Sequence, residues 1–448
     1  MIFKDFKDVV IAKAQAIGLA DYELYYQAAE STSVSAFQHE LNQFTSATEG
    51  GVCFRCIVNG KMGYASTEEL SEAQAEAIVE KAADNAAVLE SAERVFLCDG
   101  GKTYQTIDRE AYDLPTTEAL IGKVLDAMEK LYATDARVVD GCGTQGFSET
   151  NSIAIVNSRG LDLCSQVSLC GVMAGAMVSD GKDTANDYQI KLGALDTIDS
   201  GKLTRKATET ALRKLGGEVA PTGQYPVVFN PEAMSDLLQT FCSVFSSETA
   251  QKGLSRFGDQ EGQMVAAETV TLMDDPFHPE SPVPMAFDAE GSPTATKAII
   301  EKGRLNTLLY NLKTAAVAGK ETTGNASKGG YDAPVRVRPF TMYLAPGVVT
   351  EEELLKRAGN GVYINSLSGL HAGADPVSGD FSLQSAGFMI ENGAKTTAVK
   401  SFTVAGNFYD LLKNIICVAD NMELPMAMGM TNFGSPSVLV RGLSIAGR

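Results

Sequence analysis

GLHAGADPVSGDFSLQSAGFMIENG, residues 369–393, joins one of only three histidines to a DPVSGDFS turn cluster and a closing ENG. Glycine and Asp/Asn at this density mark tight turns that need positive φ. Between the turns, FSLQSAGFMIE alternates loosely like a strand. The segment therefore reads as a hairpin-rich loop region that holds His371, Asp375, Ser378 and Asp380 close together. Polar, glycine-supported loops often carry binding function. The same residue types also serve as plain turn formers whose side chains bond their own backbone.

Working outward, the last 110 residues read as mostly short strands with one helix near FYDLLKN (408–414). Upstream, DDPFHPESPVPM (274–285) is proline-rich and reads as an extended loop. YPVVFNP (225–231) reads as a strand and EAMSDLLQTFCSVFSSETA (232–250) as a helix. Pro221-Thr222-Gly223 marks a boundary. Before it, 202–215 is a helix closed by Gly216-Gly217, 136–180 is β-rich with a turn at 157–160, and 116–133 is a helix after Pro115. Residues 92–113 are an irregular connection. Residues 71–91 form an alanine-rich helix with its cap region at Ser66-Thr67. Segments 21–30, 33–47 and 51–60 read as successive strands, the last ending in an Asn59-Gly60 hairpin turn, and 3–17 is a helix. The expected class is α+β: an N-terminal α/β lobe with a mixed or antiparallel sheet and a C-terminal β-rich lobe. The expected domains are 1–92 (α/β), 93–220 (β-rich with flanking helices) and 221–448 (β-rich, carrying the turn cluster).

Composition narrows the partners. The 448 residues carry a formal charge of −19, which disfavours phosphate backbones and anionic membranes, both of which need clustered Lys and Arg. No direct contact with nucleic acid is expected. No stretch reaches the roughly 18 apolar residues of a membrane span. The N-terminal helix also mixes Lys and Asp where a secretory signal needs an apolar run, so the expected location is the cytoplasm. Of eight cysteines, only Cys53 and Cys56 have CxxC spacing. They fall within a strand, so buried structural thiols are favoured over a redox or metal pair.

Familiar catalytic templates are missing. The chain has no HExxH, no GxSxG and no Walker A motif, and His39, His278 and His371 are far apart in sequence. Ser378 as nucleophile with His371 as base, or a metal gathered by His371, Asp375 and Asp380, are the hydrolytic arrangements that the turn cluster allows.

The block 369–393, the stretch VKSFTVAGNFYDLLKNIICVADN (399–421) and SVLVRGLSIAG near the end closely resemble the C-terminal signature of the TldD/PmbA family, in its PmbA (TldE) branch. The resemblance runs over nearly the whole chain. It implies a cytosolic protein linked to proteolysis and peptide maturation, in a family once described as modulators of DNA gyrase. The TldD branch carries a His-Glu-x-x-x-His zinc motif on the helix after the domain-opening strand. Here Gln239, Thr240 and Val244 stand at those positions, and no cysteine follows Cys417 to supply that family's further ligand. The resemblance thus implies no metal and no catalytic residue in this chain, with zinc in a partner subunit. His371, Asp375, Ser378, Asp380 and Asn407 become candidates for a peptide cleft or subunit contact. The implied role is a non-catalytic subunit of a TldD/TldE-type metallopeptidase acting on unfolded or leader peptides. Its partners would be a TldD-like zinc-bearing subunit, the peptide, and a second copy of itself when isolated. The alternative is an independent hydrolase built around His371, Asp375, Ser378 and Asp380.

Overall fold

The computed structural model describes residues 1–90, 93–108, 113–425 and 428–447. Six antiparallel strands make the first sheet: β1 (Asp21–Phe37), β2 (Glu40–Val58), β3 (Lys61–Thr67), β4 (Gly143–Asn157), β5 (Asp162–Ser179) and β6 (Thr184–Leu192). Their order is β3-β2-β1-β4-β5-β6. β1 pairs with β2 on one side and with β4 on the other, from Glu23↔Asn157 to Phe37↔Gly143. Strands from 1–92 and from 93–220 therefore share one hydrogen-bonded sheet.

Alternation along the strands sorts the side chains into two layers. Leu24, Phe54 and Val34 face the helices α1 (Phe3–Ala16), α2 (Glu72–Val88), α3 (Thr117–Tyr132) and α4 (Ser200–Lys214), which bury Phe6, Ile78, Leu120 and Met128 against that side. Each such side chain contributes about 1.5–3 kcal/mol. Tyr25, Ile153 and Ile155 point the other way and meet Met285, Phe287 and Phe340 of the C-terminal lobe.

The sheet changes at α4. β7 (Glu218–Val219) and β8 (Gly223–Phe229) belong to a second sheet in the order 415–418, 438–446, β8, 361–368, 380–391, 394–407, β7. Residues 403–405 also pair with 444–446, which closes five of these strands into a barrel. Against it lies the helix α5 (Pro231–Phe241), capped by the Asn230 side chain on the Ala233 N–H at 2.8 Å. The architecture is α+β, as expected from the sequence.

Several boundaries differ from the sequence reading. The break between the first strands falls at Gln38-His39, both at positive φ, because β4 holds β1 extended through Ser31 and Thr32. The cap of α2 is Ser71, which accepts from Gln74, rather than Ser66-Thr67. The helix expected over 232–250 is interrupted: α5 ends at Phe241, a 3-10 turn covers Cys242–Phe245 and a short helix resumes at Ser247–Gln251. The Val244 carbonyl is taken by Ser255 Oγ at 2.6 Å and the Phe245 carbonyl by the Leu309 N–H at 2.9 Å, so tertiary bonds replace helical ones. The last 110 residues hold long strands, 380–391 and 394–407, and a further helix, Glu351–Ala358. Block 369–393 is not a run of hairpins. It is a short helix (Leu370–Gly373), a turn cluster closed by the antiparallel bridge Ala374↔Phe381, and one long strand that ends in a hairpin turn at Asn392-Gly393.

Candidate functional site

The turn cluster is a closed hydrogen-bond network. Asp375 Oδ1 accepts from the Val377 N–H at 2.9 Å, and Ser378 Oγ accepts from the Asp380 N–H at 3.2 Å. Asn407 Nδ2 donates to the Ser378 carbonyl at 2.9 Å and to Asp380 Oδ1 at 2.8 Å. Asn407 Oδ1 accepts from the Tyr409 N–H at 3.1 Å, so it also caps the helix Phe408–Lys413. The bonds from Asn407 and Ser378 hold the Asp380 carboxyl below its usual range. Four of the five predicted residues thus converge, and Asn407 ties the two signature blocks together.

His371 stands apart, exposed on the helix Leu370–Gly373 that packs against α5. Among the described residues no hydrogen bond joins it to Ser378, whose hydroxyl serves the turn. The other histidines have separate roles. His39 stacks on Tyr132 at 4.1 Å, and His278 meets the Tyr343 ring edge-on at 5.0 Å. Cys53 and Cys56 are buried on opposite faces of β2, as an odd spacing in a strand requires, and burial pushes the Cys56 thiol up to about 11.

Rings connect α5 to both signature blocks. Phe241 stacks on Phe408 at 4.6 Å and meets Phe381 edge-on at 6.3 Å. The positions 239, 240 and 244 then separate. Gln239 is exposed on the rim of a cleft, Thr240 donates its hydroxyl to the Asp236 carbonyl at 2.7 Å, and Val244 is buried in the core.

That cleft, of about 520 Å³, lies between the lobes. Asp187, Tyr188 and Lys214 form one wall, Glu232, Ser235, Asp236 and Gln239 of α5 another, and Ser366–Ser368 lead from it into the signature block. Lys214 pairs with Asp187 at 2.8 Å. Burial, then Asp187, raises the Glu232 carboxyl. Burial, then Glu232, pushes Asp236 up to about 7. The cleft therefore holds a proton near neutrality and offers acceptors to amide or ammonium donors. Among the described residues no three His, Cys, Asp or Glu side chains are grouped as a metal would need.

The sequence reading missed this cleft. Glu232, Asp236 and Gln239 recur at spacings of four and three, which puts them on one face of α5. That signal was legible, whereas the facing wall from β6 and α4 was not. The Asp236 proton also predicts a pH effect. The folded carboxyl ionises near pH 7 and the unfolded one near 3.8, so stability falls as pH rises through that window. Asp236→Asn removes the loss. It is expected to stabilise the fold by about 2–4 kcal/mol at about pH 8 and by nothing measurable near pH 3.5, read from thermal melts at each pH.

Residues 22–86, 110–215 and 222–447 match, in turn, domain 1, the central domain and the C-terminal domain of the PmbA/TldA metallopeptidases. The chain belongs to the PmbA/TldD family. A Haemophilus influenzae relative named as a metalloprotease PmbA homolog is 27% identical over 425 residues, covering 93% of this chain and 90% of that protein. A solved Thermotoga maritima structure, described as a candidate modulator of a DNA gyrase, matches with TM-score 0.89 at 32% identity over 99% of this chain and 100% of that one. TldE from Thermococcus kodakarensis shares the fold, with TM-score 0.87 at 20% identity over 98% of this chain and 99% of that one.

For a family described as metallopeptidases, the α5 positions do not fit zinc. Valine offers no donor atom and lies in the core, the threonine hydroxyl is committed to its own helix, and an amide is not among zinc's usual ligands. Among the described residues no helix is long and apolar enough to cross a membrane.

Proposed function

We propose that this chain is the non-catalytic subunit of a cytosolic TldD/TldE-type metallopeptidase. It docks on a zinc-bearing homologue and helps present unfolded or leader peptides. The observation that carries this reading is the state of α5. The helix keeps its cap, its apolar face and its aromatic link to both signature blocks, while Gln239, Thr240 and Val244 leave water activation without a metal. The acidic cleft supports the peptide role, since its carboxylates accept from the amides and ammonium groups of an extended chain. The surface that receives the homologue also permits self-association, so the isolated chain is a homodimer.

The test is to assay an unstructured peptide with this protein, with a zinc-bearing homologue, and with the two mixed, and to measure bound metal by elemental analysis. The expected result is no hydrolysis and no stoichiometric zinc in this protein alone, with turnover in the mixture above that of the homologue. Chelator-insensitive hydrolysis by this protein alone would overturn the proposal. In the same assay, His371→Ala is expected to lower turnover by the mixture while leaving the melting temperature of this chain unchanged.

A further inference from the structure

β2 is covered on both sides for only part of its length. β3 pairs with it from Val52↔Thr67 to Val58↔Lys61 and then stops. From Glu40 to Gly51 the outer edge of β2 faces no strand among the described residues, and only β1 lies on its inner side. Side chains 40–46 are all exposed. The hairpin carries Phe37, Leu41 and Phe44 at 39%, 49% and 56% exposure. A bulge at Ser35/Ala36 aligns Leu41 with Ala36 and Phe44 with Val34, so both rows lie on the face that α3 covers further in.

Exposed edges are normally blunted with lysine, proline or inward charge, because their free N–H and C=O groups template pairing with another chain. Here Leu41–Thr48 reads LNQFTSAT, with no charge and no proline. In a chain of net charge −19, this strip carries no charge between Glu40 and Glu49. Eight residues exceed the length of a typical strand. An antiparallel strand edge is also self-complementary across a twofold axis, as an isologous interface requires. A peptide would fit less well. Strand addition gains its selectivity from pockets for alternate side chains, and exposed side chains on both faces of 40–46 leave no such walls.

We propose that residues 41–48 of β2 are a self-association edge, pairing antiparallel with the same residues of a second copy and extending the six-stranded sheet across the twofold. The proposal rests on the self-association inferred above and names its surface. The test compares the full-length protein with the double variant Leu41→Lys, Phe44→Lys by sedimentation over a concentration series, with hydrogen exchange as a second readout. Both side chains are exposed, so circular dichroism and melting of the variant are expected to match wild type. The four lysines gathered along one shared edge, two from each copy, are expected to raise the dimer dissociation constant by about 100-fold. Amides within 41–48 of wild type are expected to lose protection on dilution. A wild-type monomer at every concentration defeats both self-association and the edge. A dimer that the lysines leave unchanged defeats the edge alone. Protection of 41–48 only when an extended peptide is added would reassign the edge to peptide.

Discussion

Arg55→Leu is expected to destabilise the protein by about 4 kcal/mol, lowering the midpoint of denaturant unfolding. Arg55 is buried in β2 beside Glu23 of β1, with Nε donating to Glu23 Oε1 at 2.8 Å. Nη2 lies 2.7 Å from the same oxygen without directing a hydrogen at it, so it adds charge contact and not a second bond. Glu290 of the C-terminal lobe is close enough to help keep the guanidinium charged. Burial, then the neighbouring Asp288, raises the Glu290 carboxyl, and Arg55 opposes that rise. Removing the cation leaves Glu23 buried with the Asn157 amide 3.4 Å from its other oxygen, and removes the charge that Glu290 faces across the lobe junction. The double variant Glu23→Leu, Arg55→Leu is expected to recover part of the loss, because an apolar pair replaces an orphaned charge. An unchanged midpoint in Arg55→Leu would show that water reaches this pair.

Gly379→Ala is expected to cost about 3 kcal/mol and to separate the two signature blocks. Gly379 has φ of +81°, and an added Cβ would lie 2.5 Å from the Tyr409 ring and 3.1 Å from Asn407 Nδ2. Its carbonyl accepts from the Phe408 N–H at 2.7 Å, so the displacement passes directly into the helix that Asn407 caps. Gly369→Ala is the control. Its φ is +77°, yet nothing lies within 4 Å of the added Cβ, so only the backbone preference of about 1 kcal/mol is lost. Melting temperatures of the two variants measure the difference. Equal values would mean that the ring and amide yield freely, and that the network around Asn407 is not rigid.

Local chemistry was the legible part of this fold. Asn59-Gly60 announced its hairpin and Pro115 the start of α3, because turn and cap preferences act within a few residues. The convergence of Asp375, Ser378, Asp380 and Asn407 was legible in part, since turn residues so close in sequence have few places to go. What the sequence reading lost depended on distant partners. In the break after α5, Ser255 and Leu309 take the Val244 and Phe245 carbonyls, and the unbroken course of β1 is set by β4. The cleft was hidden for the same reason. Its α5 wall follows from helical spacing, whereas Asp187 and Lys214 arrive there only through the packing of the first lobe on the second.

β8 lies between strands 438–446 and 361–368, more than 130 residues away from either along the chain. As the chain leaves the ribosome, the hairpins of the first sheet have their partners early, but β8 must wait for nearly everything after it. Its apolar run Val227-Val228-Phe229 stays uncovered until the final strand is made. Contacts of such long range close slowly and leave sticky intermediates. The barrel that carries the signature blocks is therefore the last part to form, and it is where chaperone dependence and premature aggregation will concentrate.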